Sequence, residues 1–292
     1  MSTYQYACSF LILIRCRSLL TQTHSGKYVF KLSTYMMELY CDNLKDLLAP
    51  VSRNNSKPPP LNIKKDSKGW VTVQNITEIE IDVNDSSELM KVIEEGVKRR
   101  KVSGTQMNIE SSRSHLIIGV VIESTNLQTQ AVVKGKLSFV DLAGSERLKK
   151  SGSEGEQMKE AQAINKSLSA LADVISSLAT EQGHIPYRNH KLTMLMSDSL
   201  GGNAKTLMFV NASPTDSNVE ETQNSLQYAT RVRSITNDIY KNIATKEIVK
   251  LKKSVEVWKA RAGSPGPELY DIQEQKDRAL QEMDPRRNVA SP

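Results

Sequence analysis

The sequence predicts an α/β fold in which helices are layered on a β-sheet. Strand-like segments rich in β-branched and aromatic residues alternate with helical patterns between residues 28 and 235. Such alternation is typical of a layered α/β domain. The 292 residues are 38% hydrophobic and 25% charged, which is enough apolar material for a sizeable core. Ligands of such sheets bind in loops after the carboxyl ends of strands, so the turns after residues 124 and 142 are candidate binding loops.

The predicted strands show either partial alternation of apolar and polar residues or a short continuous apolar run. In chain order they cover residues 28–40, two short segments within 61–76 around a Lys-Gly turn, 115–124, 132–142 and 205–214. A turn-rich loop at residues 52–60 separates the first strand region from the second.

The predicted helices are recognised by apolar periodicity and by capping residues at their ends. In chain order they cover residues 42–50, 85–102, 157–180, 189–200, 218–235 and 245–263. Asp42, and either Asp85 or Ser86, suit helix N-termini, and Gly201 suits a helix end. The 157–180 helix carries one apolar face, which consists of Ile164, Leu168, Leu171, Ile175 and Leu178.

The net charge of +6 favours an acidic partner, which could be nucleic acid, an anionic membrane or an acidic protein surface, although solubility alone also explains it. No aromatic stacking motif or reading helix accompanies the charge, so nucleic acid is disfavoured. Three cysteines without a CxxC pair fit a reducing, cytoplasmic compartment. The apolar run at 8–14 is too short to span a bilayer and lacks the basic residues that precede a signal sequence.

Two loops carry groups suited to phosphate chemistry. Asp141 ends a buried strand and could hold the water shell of Mg²⁺, and Gly144 lets a backbone N–H approach a phosphate oxygen. In the other loop, Ser111 and Ser112 could ligate Mg²⁺ or contact phosphate, and Arg113 could pair with a carboxylate across the site. Taken singly, each loop is equally well explained as a polar turn or a helix cap.

The two loops together are far more specific than either alone. NIESSRSH (108–115), followed by DLAGSE (141–146), resembles the two nucleotide-sensing switches of the kinesin motor domain. The resemblance continues through INKSLSAL (164–171), the segment 185–206, FVNASP (209–214) and LQYATRVRSI (226–235). It covers roughly residues 28–262, is closest to the C-terminal-motor class, and implies a three-layer kinesin motor fold with a central sheet flanked by helices.

The resemblance implies an ATP-driven motor that requires Mg²⁺. It assigns catalytic roles to Arg113, Glu146, Gly144 and Ser111, and nucleotide contacts to Asn108, Ser112, Asp141 and Gly144. Ser112 and Asp141 would hold Mg²⁺, through water in the case of Asp141. Arg113 and Glu146 would form the ion pair that closes over the γ-phosphate and positions the attacking water.

The resemblance also implies a basic surface that binds the acidic surface of tubulin in microtubules. The residues that would face tubulin are Lys149, Lys150, Asn165, Lys166, Tyr187, Arg188, His190 and Lys191. Each lysine on its own is as readily explained as a solvated surface charge.

The segment TQTHSGKY (21–28) is similar to the phosphate-binding loop of kinesins but departs from it. Thr21 and His24 replace glycines, and Tyr28 replaces the hydroxyl residue that binds Mg²⁺. A predicted strand follows, whereas the motif needs a helix. We therefore expect Ser25, Gly26 and Lys27 to lie in the turn before that strand, and the motor fold to lack its phosphate loop and N-terminal strands.

The 245–263 helix is basic and amphipathic, with Ile248, Leu251, Val255 and Trp258 on one face. This pattern suits calmodulin or a related calcium sensor, and the segment resembles plant kinesin-like calmodulin-binding proteins. The predicted calmodulin contacts also include Lys252 and Lys253. The alternative is a helix that packs on the motor or begins a coiled coil, which would allow a dimer.

The expected organisation is an unrelated leader at 1–27, the C-terminal two-thirds of a motor core at 28–240, the regulatory helix at 245–263 and a flexible tail at 264–292. The expected function is a microtubule motor with microtubule-stimulated ATPase activity, minus-end directed, on the cytoplasmic cytoskeleton. The alternative is a microtubule- and calmodulin-binding remnant that neither depends on nucleotide nor turns it over, because its phosphate loop is not intact.

Overall fold

The computed structural model describes residues 26–50, 59–66, 69–82, 85–103, 113–145 and 155–237, together with positions 251, 254, 255, 257 and 258. The chain divides into two units, residues 1–237 and 238–292, which are described separately. The fold below is that of the first unit.

The centre of the fold is an antiparallel sheet, to which a two-stranded ribbon is added. The strands of the described residues are β1 (Tyr28–Tyr40), β2 (Asn43–Asp46), β3 (Asn62–Lys65), β4 (Val71–Gln74), β5 (Ile79–Ile81), β6 (His115–Asn126) and β7 (Val132–Asp141). The main sheet has the order β2-β1-β6-β7, β5 also pairs with β1, and β3 and β4 form the ribbon. Every pairing among these strands is antiparallel.

The register of β6 decides which loops meet. Leu39 of β1 pairs with His115, and Leu116 pairs with Asp141 of β7. The first residues of β6 and the last residues of β7 therefore lie side by side at one end of the sheet. The turn between these two strands lies at the opposite end, where Leu127 donates a backbone hydrogen bond of 2.9 Å to the carbonyl of Lys27. The turn after residue 124 is thus remote from the loop after residue 142, and the candidate site includes only the second.

Helices cover both faces of the sheet. They are α1 (Ser86–Ser103), α2 (Glu156–Ala179), α3 (Lys191–Leu195), α4 (Ser197–Leu200) and α5 (Val219–Arg233). Side chains alternate across a strand, so Met36, Leu116 and Ile118 join the core under α1, whereas Met37 and Ile117 join the core under α2 and α3. The result is the three-layer α/β arrangement that the sequence predicts.

Close packing of α1 on the sheet depends on a glycine. A Cβ atom at Gly96 would lie 2.2 Å from the sulfur of Met36, which is far inside contact distance. The absent side chain therefore allows the middle of α1 to approach β1 directly.

Three predicted elements differ from the structure. The helix predicted at 42–50 is wrong, because Cys41 and Asp42 adopt positive φ angles of 45° and 61° and turn the chain back so that β2 pairs with β1. The strand predicted at 205–214 is also wrong. None of these residues joins a sheet in the described structure, and Leu207 and Phe209 are 74% and 72% exposed.

The helix predicted at 189–200 is interrupted. His190 has an extended backbone, with φ −152° and ψ 151°, and separates a 3₁₀ turn at Tyr187–Asn189 from α3. The other predicted helices of this unit and the remaining strands are confirmed within a few residues at their ends. Among the described residues, no helix combines the length and the apolar character needed to cross a membrane.

Candidate functional site

The candidate site is formed at the sheet end where β6 begins and β7 finishes. Asp141 is the last residue of β7, and its side chain is mostly buried. The loop 142–145 continues from it, with Ala143 buried and Gly144 partly exposed. Arg113 and Ser114 directly precede β6, so the two segments predicted to sense nucleotide converge at the point where antiparallel pairing brings their ends together.

His115 joins the two segments to helix α2. Its Nδ1 atom accepts a hydrogen bond of 3.0 Å from the backbone N–H of Ala143, and its Nε2 atom lies 2.7 Å from the hydroxyl of Ser167. The side chain is only 3% exposed. Burial, with smaller contributions from the nearby His190 and Arg100 charges, lowers the pKa of His115 to about 4. The imidazole is therefore neutral at physiological pH, and its unprotonated Nδ1 atom can accept the hydrogen bond from the Ala143 N–H.

Arg100 of α1 is the centre of a buried polar cluster. Its guanidinium contacts the Glu38 carboxylate at 3.2 Å, donates to the Ser114 carbonyl and hydroxyl at 3.0 Å, and lies 3.6 Å from the Asp141 carboxylate. The Ser114 hydroxyl in turn donates to Glu38 at 2.6 Å. One guanidinium thus balances two carboxylates, one of which belongs to Asp141, the predicted Mg²⁺ residue.

Arg113 contacts α2 through an ion pair. Its Nη1 atom lies 2.8 Å from Oε2 of Glu160, a residue in the second turn of the helix that is only 5% exposed. The other carboxylate oxygen, Oε1, is buried. The partner predicted for Arg113 is Glu146, which lies outside the described residues, so the Arg113–Glu146 pair stays a prediction.

A cavity of 780 Å³ adjoins the loop 142–145. It is bounded by this loop, by one side of α2, by residues 208–211 and by α5. Its polar lining is provided by Gly144, Ser145, Asn165, Ser169, Asn211, Glu221, Asn224, Ser225 and Tyr228. Most of these groups are neutral donors and acceptors of the kind that orient a bound ligand, whereas Glu221 adds a carboxyl group whose Oε1 atom is buried. No cluster of His, Cys, Asp or Glu within the described ranges could hold a metal ion by itself.

The residues predicted to bind microtubules divide into exposed and buried groups. Lys166 and Arg188 are exposed, and the ammonium of Lys191 donates to the Asp42 carbonyl at 2.6 Å. Tyr187 is half-buried and lies beneath the Lys65 ammonium, which is 5.4 Å from its ring centre. Burial lowers the pKa of His190. The Asp42 charge raises it by a smaller amount, and the Lys166 and Lys191 charges lower it further.

Two of the residues predicted to contact microtubules do not lie on the exposed surface. His190 is buried, and its Nδ1 atom accepts a hydrogen bond of 3.1 Å from the Leu192 N–H at the start of α3. It therefore caps a helix. Asn165 lines the cavity instead of belonging to the exposed group.

Several predicted site residues fall outside the part of the chain that is described. In the first unit these are Asn108, Ser111, Ser112, Glu146, Lys149 and Lys150, and in the second they are Ile248, Lys252 and Lys253. Leu251, Val255 and Trp258 are helical, and the Trp258 side chain is 68% exposed.

The segment that is similar to a phosphate loop leads into a strand. Gly26 and Lys27 form a turn, Gly26 has a φ angle of +94°, and β1 begins at Tyr28. This confirms the expected position of Gly26 and Lys27, whereas Ser25 lies outside the described residues. The chain direction after Lys27 is that of a strand, whereas phosphate loops lead into a helix whose N-terminus helps to bind the anion.

Comparison with known proteins identifies the family. A model of the kinesin motor domain matches residues 11–235. The chain belongs to the kinesin family. The matched region begins at residue 11, inside the segment 1–27 that the sequence analysis assigns to an unrelated leader. The predicted absence of N-terminal strands therefore stays a prediction, as do the domain boundaries.

Curated relatives refine the class of this kinesin. Kinesin-like protein KIN-14I of Oryza sativa subsp. japonica is 62% identical over 252 residues, which are 86% of this chain and 20% of the relative. Kinesin-like protein KIN-14E of Arabidopsis thaliana is 62% identical over 256 residues, 87% of this chain and 20% of the relative. The chain thus spans about a fifth of the length of these relatives. They assign the kinesin to the KIN-14 class, the C-terminal-motor class that the sequence predicts.

Solved structures confirm the motor fold of this kinesin. The structure of a fast kinesin has 36% sequence identity and a TM-score of 0.68, over 79% of this chain and 63% of that one. The motor domain of the Saccharomyces cerevisiae kinesin-related protein Kar3 has 34% identity and a TM-score of 0.63, over 77% of this chain and 66% of that one.

Proposed function

We propose that this kinesin couples ATP binding and hydrolysis to movement along microtubules. The observation that carries the proposal is the convergence of two loops on one helix. The antiparallel β6–β7 pairing brings Arg113 next to the loop 142–145, and both segments contact α2, through Glu160 and through His115 with Ser167. A change at a bound phosphate would thus reach the helix by two routes.

The nucleotide would bind at the end of the sheet beside the cavity. Asp141 offers a carboxylate oxygen, the ligand type that Mg²⁺ prefers, and its charge is balanced by Arg100 at 3.6 Å. Gly144 offers a backbone N–H that no side chain obstructs. Asn108, Ser111 and Ser112 would complete the contacts to phosphate and metal, and Glu146 would pair with Arg113 when the site closes. Mg²⁺ would stabilise the charge that develops on the transferred phosphoryl group.

The filament would bind the basic surface beside α2 and α3. Lys166 and Arg188 are exposed there, Lys191 lies beside them with its ammonium on the Asp42 carbonyl, and Lys149 and Lys150 would add to them. Positive charge on this surface suits the acidic exterior of tubulin and would make binding weaken as salt rises. Minus-end direction is proposed from the C-terminal-motor class, and such an activity would locate the chain on the microtubule cytoskeleton.

The decisive experiment measures co-sedimentation of the 292-residue chain with microtubules, together with phosphate release. A motor releases microtubules differently in ATP, in ADP and without nucleotide, and microtubules stimulate its phosphate release. Glu146→Ala should abolish the stimulated release and leave sedimentation without nucleotide unchanged. Equal sedimentation in all nucleotide states, with no phosphate release, would reject the motor function.

The second candidate is a microtubule-binding protein that does not respond to nucleotide. The observation that favours it is the strand that begins at Tyr28, directly after Gly26 and Lys27, where a phosphate loop requires a helix. It predicts sedimentation that ATP and ADP leave unchanged, so the same experiment separates the two functions.

Calmodulin regulation is proposed for both candidates. Leu251, Val255 and Trp258 are helical and lie at four- and three-residue steps, which places them on one side of a helix. Leu251 and Trp258 are exposed. With the basic residues between them, Lys252 and Lys253, this face suits the apolar and acidic groove of a calcium sensor.

A further inference from the structure

The hydrogen bonds around His115 form a chain in which the donor and the acceptor of each bond can be assigned. The Ser167 hydroxyl lies 2.6 Å from the carbonyl oxygen of Ile164, which can only accept. The single proton of Ser167 therefore points to Ile164, and Nε2 of His115 must carry the proton that is donated to Ser167. This leaves Nδ1 unprotonated, as its contact with the Ala143 N–H requires.

Burial makes this chain costly to interrupt. His115, Ala143 and Ser167 are 3%, 4% and 2% exposed, so water does not reach the groups that would be released. A buried donor or acceptor without a partner costs about 1–3 kcal/mol. The ring is also fixed at the first position of β6, where backbone pairing with Leu39 holds its Cα. The imidazole thus forms a rigid link between the loop 142–145 and helix α2.

The two hydrogen-bond partners of the ring, Ala143 and Ser167, are each next in sequence to a residue that has a role in the proposed function. Ala143 precedes Gly144, the proposed phosphate contact, and Ser167 follows Lys166, a proposed filament contact. A displacement of the loop that preserves the hydrogen bonds must displace the middle of α2 with it.

We propose that His115 is a positioning residue that couples the loop 142–145 to helix α2 through its two ring nitrogens. The mechanical consequence rests on the proposed motor function, whereas the coupling is a property of the folded chain without nucleotide. His115 does not contact the reacting atoms in this proposal. It sets the position of the loop relative to the helix on which the filament contacts lie.

The test uses Ser167→Ala in the full 292-residue chain, with amide hydrogen exchange at Ala143 measured by NMR without nucleotide. Removing the hydroxyl releases Nε2, so the ring loses its preferred orientation and holds the Ala143 N–H less tightly. Exchange at Ala143 should become about five- to tenfold faster, because the substitution acts through the His115 ring that contacts both residues. The matched control is Ser177→Ala, a buried serine of the same helix, which should leave Ala143 exchange unchanged.

Two variants of His115 show whether the ring carries the effect. The oxygen of His115→Asn replaces Nδ1 and cannot reach Ser167, and the amide nitrogen of His115→Gln replaces Nε2. Ala143 should stay protected in His115→Asn, exchange faster in His115→Gln, and become insensitive to Ser167→Ala in the Asn background. The ring nitrogen shifts of the unmodified chain should report the Nε2–H tautomer.

Three results would overturn the proposal. They are unchanged Ala143 exchange in Ser167→Ala, an equal effect of Ser167→Ala in the Asn background, and an Nδ1–H tautomer. If His115→Gln fails to fold, the proposal is still tested by Ala143 exchange in Ser167→Ala and by the ring nitrogen shifts of the unmodified chain, because His115 is present in both. A chain that shows this coupling but no nucleotide response would reject only the proposed motor function.

Discussion

The guanidinium of Arg113 donates a hydrogen bond of 2.8 Å to the carboxylate of Glu160. The contact joins the residue just before β6 to the second turn of α2, so Arg113 is held on the helix side of the candidate site. In the proposed closed state Arg113 pairs with Glu146. A guanidinium has five N–H donors, so the Glu146 pair would either add to the Glu160 pair or replace it.

Glu160→Gln should lower the free energy of unfolding by about 1–2 kcal/mol, because the charge-assisted hydrogen bond to Arg113 becomes a neutral one. The loss is limited because the Arg113 side chain is 28% exposed and can gain water. Chemical denaturation measures it. The control is Glu95→Gln, which removes an exposed helical pair with Arg99 and should cost less than about 0.5 kcal/mol. Equal effects of the two variants would show that burial adds nothing to the Arg113–Glu160 pair.

Arg100→Met should cost about 3–5 kcal/mol of unfolding free energy, because it leaves Glu38 and Asp141 buried without their cation. Arg100→Lys should recover only part of the loss, since an ammonium cannot reproduce the planar set of donors that contacts Glu38 and Ser114 together. Denaturant unfolding tests both variants against Lys98→Met, an exposed change on the same helix. Full recovery by lysine would mean that only the charge matters.

Stability should fall as pH decreases from about 6.5 to about 4 because of His115. The pKa of its side chain is about 4 in the folded chain and about 6.5 when unfolded, so protons bind the unfolded state more tightly throughout this window. The stabilisation is complete above pH 6.5, and its loss reaches about 3 kcal/mol near pH 4. Unfolding curves between pH 7 and pH 5, where fewer carboxylates titrate, measure the slope.

His115→Gln should flatten this pH dependence without removing it, since the pKa of His190 is also lowered by burial and by nearby lysines. His184→Gln changes an exposed histidine and serves as the control. A slope that is the same in the His115→Gln variant and in the unmodified chain would contradict the prediction.

Trp258→Ala should weaken binding of calcium-loaded calmodulin by at least about 30-fold, since an exposed tryptophan on an amphipathic helix is a typical anchor residue. Titration calorimetry with calcium, and again with a chelator, measures the affinity. Val257→Ala is the matched control, because Val257 is exposed and lies on the side of the helix away from Leu251 and Trp258. Similar losses in the two variants, or binding without calcium, would reject the proposed mode.

Local sequence signals predicted elements well where pattern and length agreed. The 24 residues of α2 and the 13 residues of β1 are long enough for their periodicity to be distinctive. The sequence pattern gave the wrong element where a short segment takes its structure from pairing with another strand. Residues 43–46 belong to the segment 42–50, whose sequence pattern predicted a helix. The turn at Cys41 and Asp42 instead brings them back beside β1, where hydrogen bonds between the two strands outweigh the local helix propensity.

The candidate site was predicted in part. The motifs identified Arg113, Asp141 and Gly144, because phosphate chemistry restricts the residue types that can serve. They missed Arg100, Glu38, His115 and Glu160. His115 stands inside a recognised motif, so its position was a usable signal, but its partners Ala143 and Ser167 are 28 and 52 residues away. No local pattern encodes such pairs.

The sequence by itself determined the family, the alternating elements and the residues fit to meet a phosphate, because composition and spacing along the chain carry those properties. Tertiary structure alone decided that Arg113 meets Glu160, that Arg100 holds Asp141, and that His190 caps a helix instead of facing solvent. The physical reason is register. The pairing of Leu116 with Asp141 determines which side chains from distant parts of the sequence are buried next to one another. Once buried, polar groups must find hydrogen-bond partners among these neighbours, because water is excluded.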